Sequence, residues 1–145
     1  MQTFTPDNIR LTGSAATKDQ ALALVADFAA ERGYTADSAG VLEGLHAREA
    51  QLSTAMMDGI AIPHAKHAAV IAPALLVLRL DAPVDWTDDQ VTVLVAMLVP
   101  EEEGGTTHLH LLAQVSRALI EDEVRAVLAT GDAADVHRVL SDRIE

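Results

Sequence analysis

An α/β sandwich, a single domain with a small central mixed β-sheet flanked by helices on both faces, is the fold class this sequence predicts. Three observations predict it. The chain reads as helices, then strands, then helices, the order of a layered α/β unit. Its two longest strand-like runs are apolar without alternation, as strands covered on both faces require. Its 145 residues suffice for one sizeable core but not two, so residues 1–145 are expected to form one domain.

The elements follow in order. "FTPDNIRL" reads as an irregular lead-in with a short strand. "TKDQALALVADFAAERG" is a helix: Thr17 and Gln20 have capping-box spacing, and Ala21, Leu24, Val25, Phe28 and Ala29 form one stripe. Gly33 suits its C-terminal stop. A second helix is expected from about Ala36 to Ala50, with Val41, Leu42 and Leu45 as its apolar stripe. In "STAMMDGIAIPH" an Asp-Gly pair between two short apolar segments signals a hairpin turn. "PALLVLRLDAPVDW" and "VTVLVAMLVP" are the two continuous strand runs. The acidic "EEEGGTT" reads as a solvated loop, and three helices follow, at about Thr107–Ile120, Asp122–Ala129 and Ala133–Leu140. Strand order cannot be read from this pattern.

Composition excludes several function classes. Half the residues are hydrophobic and 22% are charged, which fits a folded globule; only 3% are aromatic, so the core must be aliphatic. The formal net charge of -12 repels phosphate backbones and anionic lipids, so neither nucleic acid nor membrane is expected as a partner. The absence of cysteine rules out thiol catalysis, disulfides and thiolate metal sites in this sequence. The longest apolar stretch, Ala68 to Leu78, runs roughly eleven residues against the ~20 a membrane span needs. With no signal-peptide core at the N-terminus, a cytoplasmic protein is expected.

Chemistry must then come from the six histidines and their neighbours. In "GIAIPHAKH", Pro63 biases Ile62 to an extended conformation and donates no N–H, so the strand should end there. His64 is expected where that strand opens into a loop at the sheet rim, a rigid and accessible mounting. Spacing leaves open whether it reacts or merely caps the strand. His108 shares a helical face with Leu111, Leu112, Val115 and Leu119, whereas His110 shares the opposite, polar face with Gln114 and Arg117. His108 should therefore point inward from the first turn of its helix, whose free N–H groups also suit an anion. A hydrogen-bonded histidine at a helix start reads equally well. Arg48 and Glu49 fall on or beside the stripe of the second helix, either as local charge partners or, for Arg48, as a phosphate-binding group facing inward.

A metal is the weaker reading of these histidines. His64 and His67 are three apart and His108 and His110 two apart, but His110 points away and no carboxylate has ligand spacing, so no metal is expected. G-x-S-x-G, P-loop and G-x-G-x-x-G motifs are missing, and no cofactor is expected. Tyr34 and Trp86 read as packing residues, Lys66 and His67 as rim residues.

Over nearly its whole length the sequence resembles the EIIA domain of the bacterial phosphoenolpyruvate-dependent sugar phosphotransferase system, fructose/mannitol type (type-2 EIIA). The resemblance rests on "ATKDQALALVADFAAERGY", "AREAQLSTAMMDGIAIPHAKH", "APVDW" and "HLHLLAQVSRAL". It implies that His64 is the phosphoryl acceptor, His108 its active-site companion and Arg48 a group near the phosphoryl. Ala65 stands where many members have Gly, a variant closer to the fructose branch than to the nitrogen-regulatory one. The implied donor is phosphorylated HPr, and the implied acceptor is a cysteine of EIIB, with sugar uptake through a membrane EIIC. No cysteine and no apolar span imply that EIIB and EIIC stand on other chains. The alternative within the family is a nitrogen-regulatory EIIA, whose phosphorylation state controls a partner protein.

Overall fold

A computed structural model describes residues 1–102 and 105–144. After a 3-10 turn at Pro6–Asn8 come β1 (Ile9–Gly13), α1 (Lys18–Glu31), α2 (Ser38–Gln51), β2 (Ile60–Ala61), β3 (His64–His67), β4 (Ala74–Trp86), β5 (Asp89–Pro100), α3 (Gly105–Ala118), α4 (Asp122–Thr130) and α5 (Ala133–Ser141). The strands form one open, mixed sheet in the order β1-β4-β5-β2, with β3 also on β5. Among the described strands only the β4–β5 hairpin is antiparallel; β1, β2 and β3 all run parallel to their neighbours.

Alternation along the two central strands divides the core. Leu76, Leu78 and Leu80 of β4 and Leu94, Ala96 and Leu98 of β5 join the apolar stripes of α1 and α2. The intervening Leu75, Val77, Val93, Val95 and Met97 join α3, α4 and α5 on the other face. That double cover explains why both runs are apolar without a break. Each fully buried aliphatic side chain here contributes about 1.5–3 kcal/mol.

The helix signals act largely as expected. Thr17 accepts the Gln20 N–H at 3.1 Å, while the Gln20 side chain accepts the N–H of Ala16 rather than of the cap itself. Gly33 stops α1 at φ +85°, in the left-handed region that glycine tolerates. The second helix starts later than expected, at Ser38, because Asp37 is its N-cap and accepts the Gly40 N–H. The last helix trio also matches, although α3 begins at Gly105 rather than Thr107. Of the acidic loop, Glu101 and Glu102 are exposed, and its two following residues lie outside the described ones. Tyr34 does pack in the core, and its hydroxyl also accepts from the buried Asn8 and donates to the Gln2 carbonyl.

Two expectations around the middle segment change. Asp58 and Gly59 do form a tight turn, both at positive φ, with Ile60 N–H donating to the Met57 carbonyl. The apolar residues before it, however, make only an isolated bridge, Ala55 to Ala61, because the following strand takes its partner from β5. Pro63 does interrupt the strand, but the chain does not open into a loop: β3 starts at once with His64. The Pro63 carbonyl, which proline retains, accepts the Met97 N–H at 3.0 Å and bridges the gap. Ile60 pairs Val93 and His64 pairs Met97, so one register runs through the interruption.

Candidate active site

Because the register is unbroken, the pleat places His64 on the same side as Ile60 and Ile62, toward α3. His64 is 5% exposed, so its mounting is rigid, as expected, but more enclosed than a rim position suggests. It sits on the edge pair β2/β3, where α2 comes close from the other face. Gly44 makes that approach possible: a Cβ there would lie 3.2 Å from both the Ala65 Cβ and the His67 ring. One turn further along α2, on the same side, Arg48 reaches around the sheet edge.

The imidazole is held at both nitrogens. Arg48 Nε donates to His64 Nε2 at 3.0 Å, and His64 Nδ1 lies 2.7 Å from the Ile62 carbonyl oxygen. A guanidinium can only donate and a carbonyl can only accept, so the proton belongs on Nδ1 and the lone pair on Nε2. Burial lowers the His64 pKa from its usual value; the Ile62 carbonyl opposes this, Arg48 and His108 add to the lowering, and Glu49 opposes it. The ring is thus a neutral base or nucleophile whose reactive atom is Nε2.

His108 joins it from the first turn of α3, its ring centroid 5.4 Å from that of His64 at an interplanar angle of 48°. Among the described residues its buried Nδ1 has no hydrogen-bond partner. Burial, then the Lys66 and Arg48 charges, lower its pKa. These two rings and Arg48 share a cavity of about 330 Å³ that Lys66 and His67 also line. The size and the converging donors suit an anion as large as a phosphoryl group.

The structure brings His64, His108 and Arg48 together and leaves His110 out; spacing separates His108 from His110 but leaves the direction of Arg48 open. His110 is exposed on α3, as expected, but Gln114 on that supposedly polar face is only 6% exposed. Thr3 and Ile144 lie on that side of α3 and line a second, separate cavity with the glutamine. Lys66 and His67 do more than occupy a rim, since both form a wall of the site. Among the described residues no group of three or more histidines and carboxylates could hold a metal ion.

The sequence reading missed the role of Glu49. Its carboxylate accepts the Thr54 N–H at 3.2 Å and the Thr54 hydroxyl, and lies 3.0 Å from Lys18 Nζ at the start of α1. The only available signal was its place on the apolar stripe of α2, where a carboxylate needs partners.

This architecture and sequence recur in known proteins. Residues 2–143 match the model of the family described as phosphoenolpyruvate-dependent sugar phosphotransferase system, EIIA 2. The chain is 33% identical to the PTS system fructose-specific EIIA component of Haloferax volcanii, over 100% of this chain and 97% of that one. It is 33% identical to the fructose-specific EIIABC component of Bacillus subtilis, of which it spans 21%, matching with 91% of its own length. It is also 34% identical to a nitrogen regulatory protein of Pseudomonas aeruginosa, over 92% of this chain and 88% of that one. Among solved structures, the nitrogen regulatory protein IIA-Ntr of Neisseria meningitidis superposes with a TM-score of 0.86 at 27% identity, covering 95% of this chain and 96% of that one. The IIAMTL of Escherichia coli, solved in complex with phosphorylated IIBMTL, shares the fold at a TM-score of 0.79 and 22% identity, covering 97% and 98%. With an open mixed sheet, a matching family model over nearly its whole length and a full-length relative at 33% identity, the chain belongs to the EIIA 2 family of the phosphoenolpyruvate-dependent sugar phosphotransferase system.

Proposed function

We propose that this protein is a cytoplasmic phosphocarrier that takes a phosphoryl group from phospho-HPr onto His64 Nε2 and passes it to a cysteine of a separate EIIB. The observation that carries the reading is the double tether of His64, which leaves one nitrogen, Nε2, with a lone pair inside a cationic cavity. In the first step that lone pair attacks phosphorus in line. The bond from phosphorus to the donor breaks, and its electron pair stays with the donor. The ring gains positive charge as the P–N bond forms, and the Ile62 carbonyl, accepting from Nδ1–H, stabilises it. Arg48, released from Nε2, and His108 then face the phosphoryl oxygens. In the second step the thiolate attacks phosphorus, and the P–N electrons return to Nε2.

The fructose-specific relatives support a sugar-uptake role with fructose as the favoured class, and the EIIABC name supports EIIB and a membrane EIIC as downstream partners. No described helix is long and apolar enough to cross a membrane. The similarity to nitrogen regulatory proteins supports a second reading, in which the phosphorylation state of His64 controls a partner protein.

Incubation with phosphoenolpyruvate, Enzyme I and HPr should give an acid-labile, alkali-stable adduct on wild type and none on His64→Ala. Stoichiometric labelling of His64→Ala would overturn the assignment. Chased with a panel of EIIB domains, the labelled protein should lose its phosphoryl group to a fructose-type EIIB. Retention against the whole panel would favour the regulatory reading instead.

A further inference from the structure

We propose that Glu49 is a positioning residue for phosphoryl transfer, holding Arg48 and the His64 imidazole in register through Thr54 and Lys18. The proposal rests on the reading that His64 accepts the phosphoryl group. Glu49 is 9% exposed and Thr54 4%, so the carboxylate is buried and its cost must be met by partners. It finds three: the Thr54 N–H, the Thr54 hydroxyl and the Lys18 ammonium. Lys18 is itself fixed, with Nζ 5.2 Å from the centre of the Trp86 ring and 3.3 Å from the Thr87 hydroxyl.

The contacts then run in a closed circuit. The Thr54 carbonyl accepts the Ile62 N–H at 3.0 Å, and the Ile62 carbonyl accepts from His64 Nδ1. His64 Nε2 accepts from Arg48, whose neighbour in α2 is Glu49. Glu49 thus grips, from one side, the helix that delivers Arg48. From the other it grips the segment whose carbonyl fixes the imidazole tautomer. Release of that clasp would free Thr54, and with it Ile62, to move relative to α2. Both tethers of the nucleophile would loosen together.

The test uses Glu49→Gln, Thr54→Val and Thr54→Ser in the full chain. Imidazole 15N shifts read the His64 tautomer, and initial phosphorylation by phospho-HPr reads the rate. Wild type should hold a single tautomer with the proton on Nδ1. Glu49→Gln and Thr54→Val should show tautomer exchange and transfer slowed about ten- to a hundredfold, the upper end being the scale of a nucleophile misplaced by about 1 Å. Thr54→Ser, which restores the hydroxyl, should recover both. Folded variants with wild-type shifts overturn the proposal, whether or not their rate falls. Should Glu49→Gln not fold, Thr54→Val, which keeps the side-chain volume, decides alone. If wild type takes no label, the phosphocarrier reading fails, while the 15N shifts still decide whether Glu49 positions the ring.

Discussion

Replacement of Arg48 by methionine keeps the length of the side chain and removes its charge and donors. In the resting site the guanidinium bonds His64 Nε2 at 3.0 Å and the Leu52 carbonyl at 2.8 Å. When a phosphoryl group arrives, the first bond must be given up. A unit charge pair about 4 Å apart near a protein surface is worth about 4 kcal/mol. The lost charge-assisted bond to Nε2 offsets about 1.5–3 kcal/mol of that. The net transition-state contribution is then about 1–2.5 kcal/mol, or about 5- to 70-fold in rate. Stability should fall by about 2.5–4 kcal/mol, the bond to buried His64 plus about 1 kcal/mol for the exposed bond to Leu52, and the melting temperature by about 10–16 °C. Rapid-quench measurement of phosphorylation from phospho-HPr and of transfer to EIIB would read both directions. A rate equal to or above wild type, in a variant still folded at the assay temperature, would refute the reasoning: Arg48 would then only shield the nucleophile.

The remaining predictions concern the histidines. His108→Ala should slow passage to EIIB or change the phosphohistidine lifetime while leaving His64 open to labelling, and His110→Ala should behave as wild type; equal effects would overturn the assigned roles. For stability against pH, His64 and His108 are both depressed chiefly by burial, so the unfolded chain takes up protons near the ordinary value of about 6.5 before the folded chain does. Stability should therefore fall as pH drops below that value and level off below the folded pKa values. The melting temperature of His64→Gln should depend on pH less steeply than that of wild type, and parallel curves would contradict the burial argument.

Much of the fold was legible because local signals and tertiary packing agree. Thr17 and Gly33 mark the ends of α1 in sequence and in space, and the unbroken apolar runs of β4 and β5 report two covered faces. The pairing of His108 with His64 was legible because helical phase carries direction, and Leu111 and Val115 fix that phase. Arg48 was ambiguous since a long side chain at a helix end can turn either way; its course around the sheet edge depends on Gly44 lying against Ala65 and His67. The strand beginning at His64 was hidden by Pro63, whose local effect is a stop, whereas pairing with β5 restarts the ladder. Thr54 follows Glu49 by five residues, past the end of α2 where helical spacing no longer applies, and Lys18 comes from another helix, so no spacing rule joins the three.

The shared register of β2 and β3 on β5 has a bearing on how this segment can change in length. Ile60 and His64 pair with residues at the same offset along β5, so the chain between them spends no extra residue at the proline. Side chains of a strand alternate faces, and gain or loss of one residue there would turn the His64 imidazole away from α3 toward the side of Ala65. Gain or loss of two would restore the face but carry the ring one pleat repeat, about 6.6 Å, along the sheet and away from His108. Substitution can therefore retune this segment residue by residue. Insertion and deletion meet a parity rule and a distance rule at once.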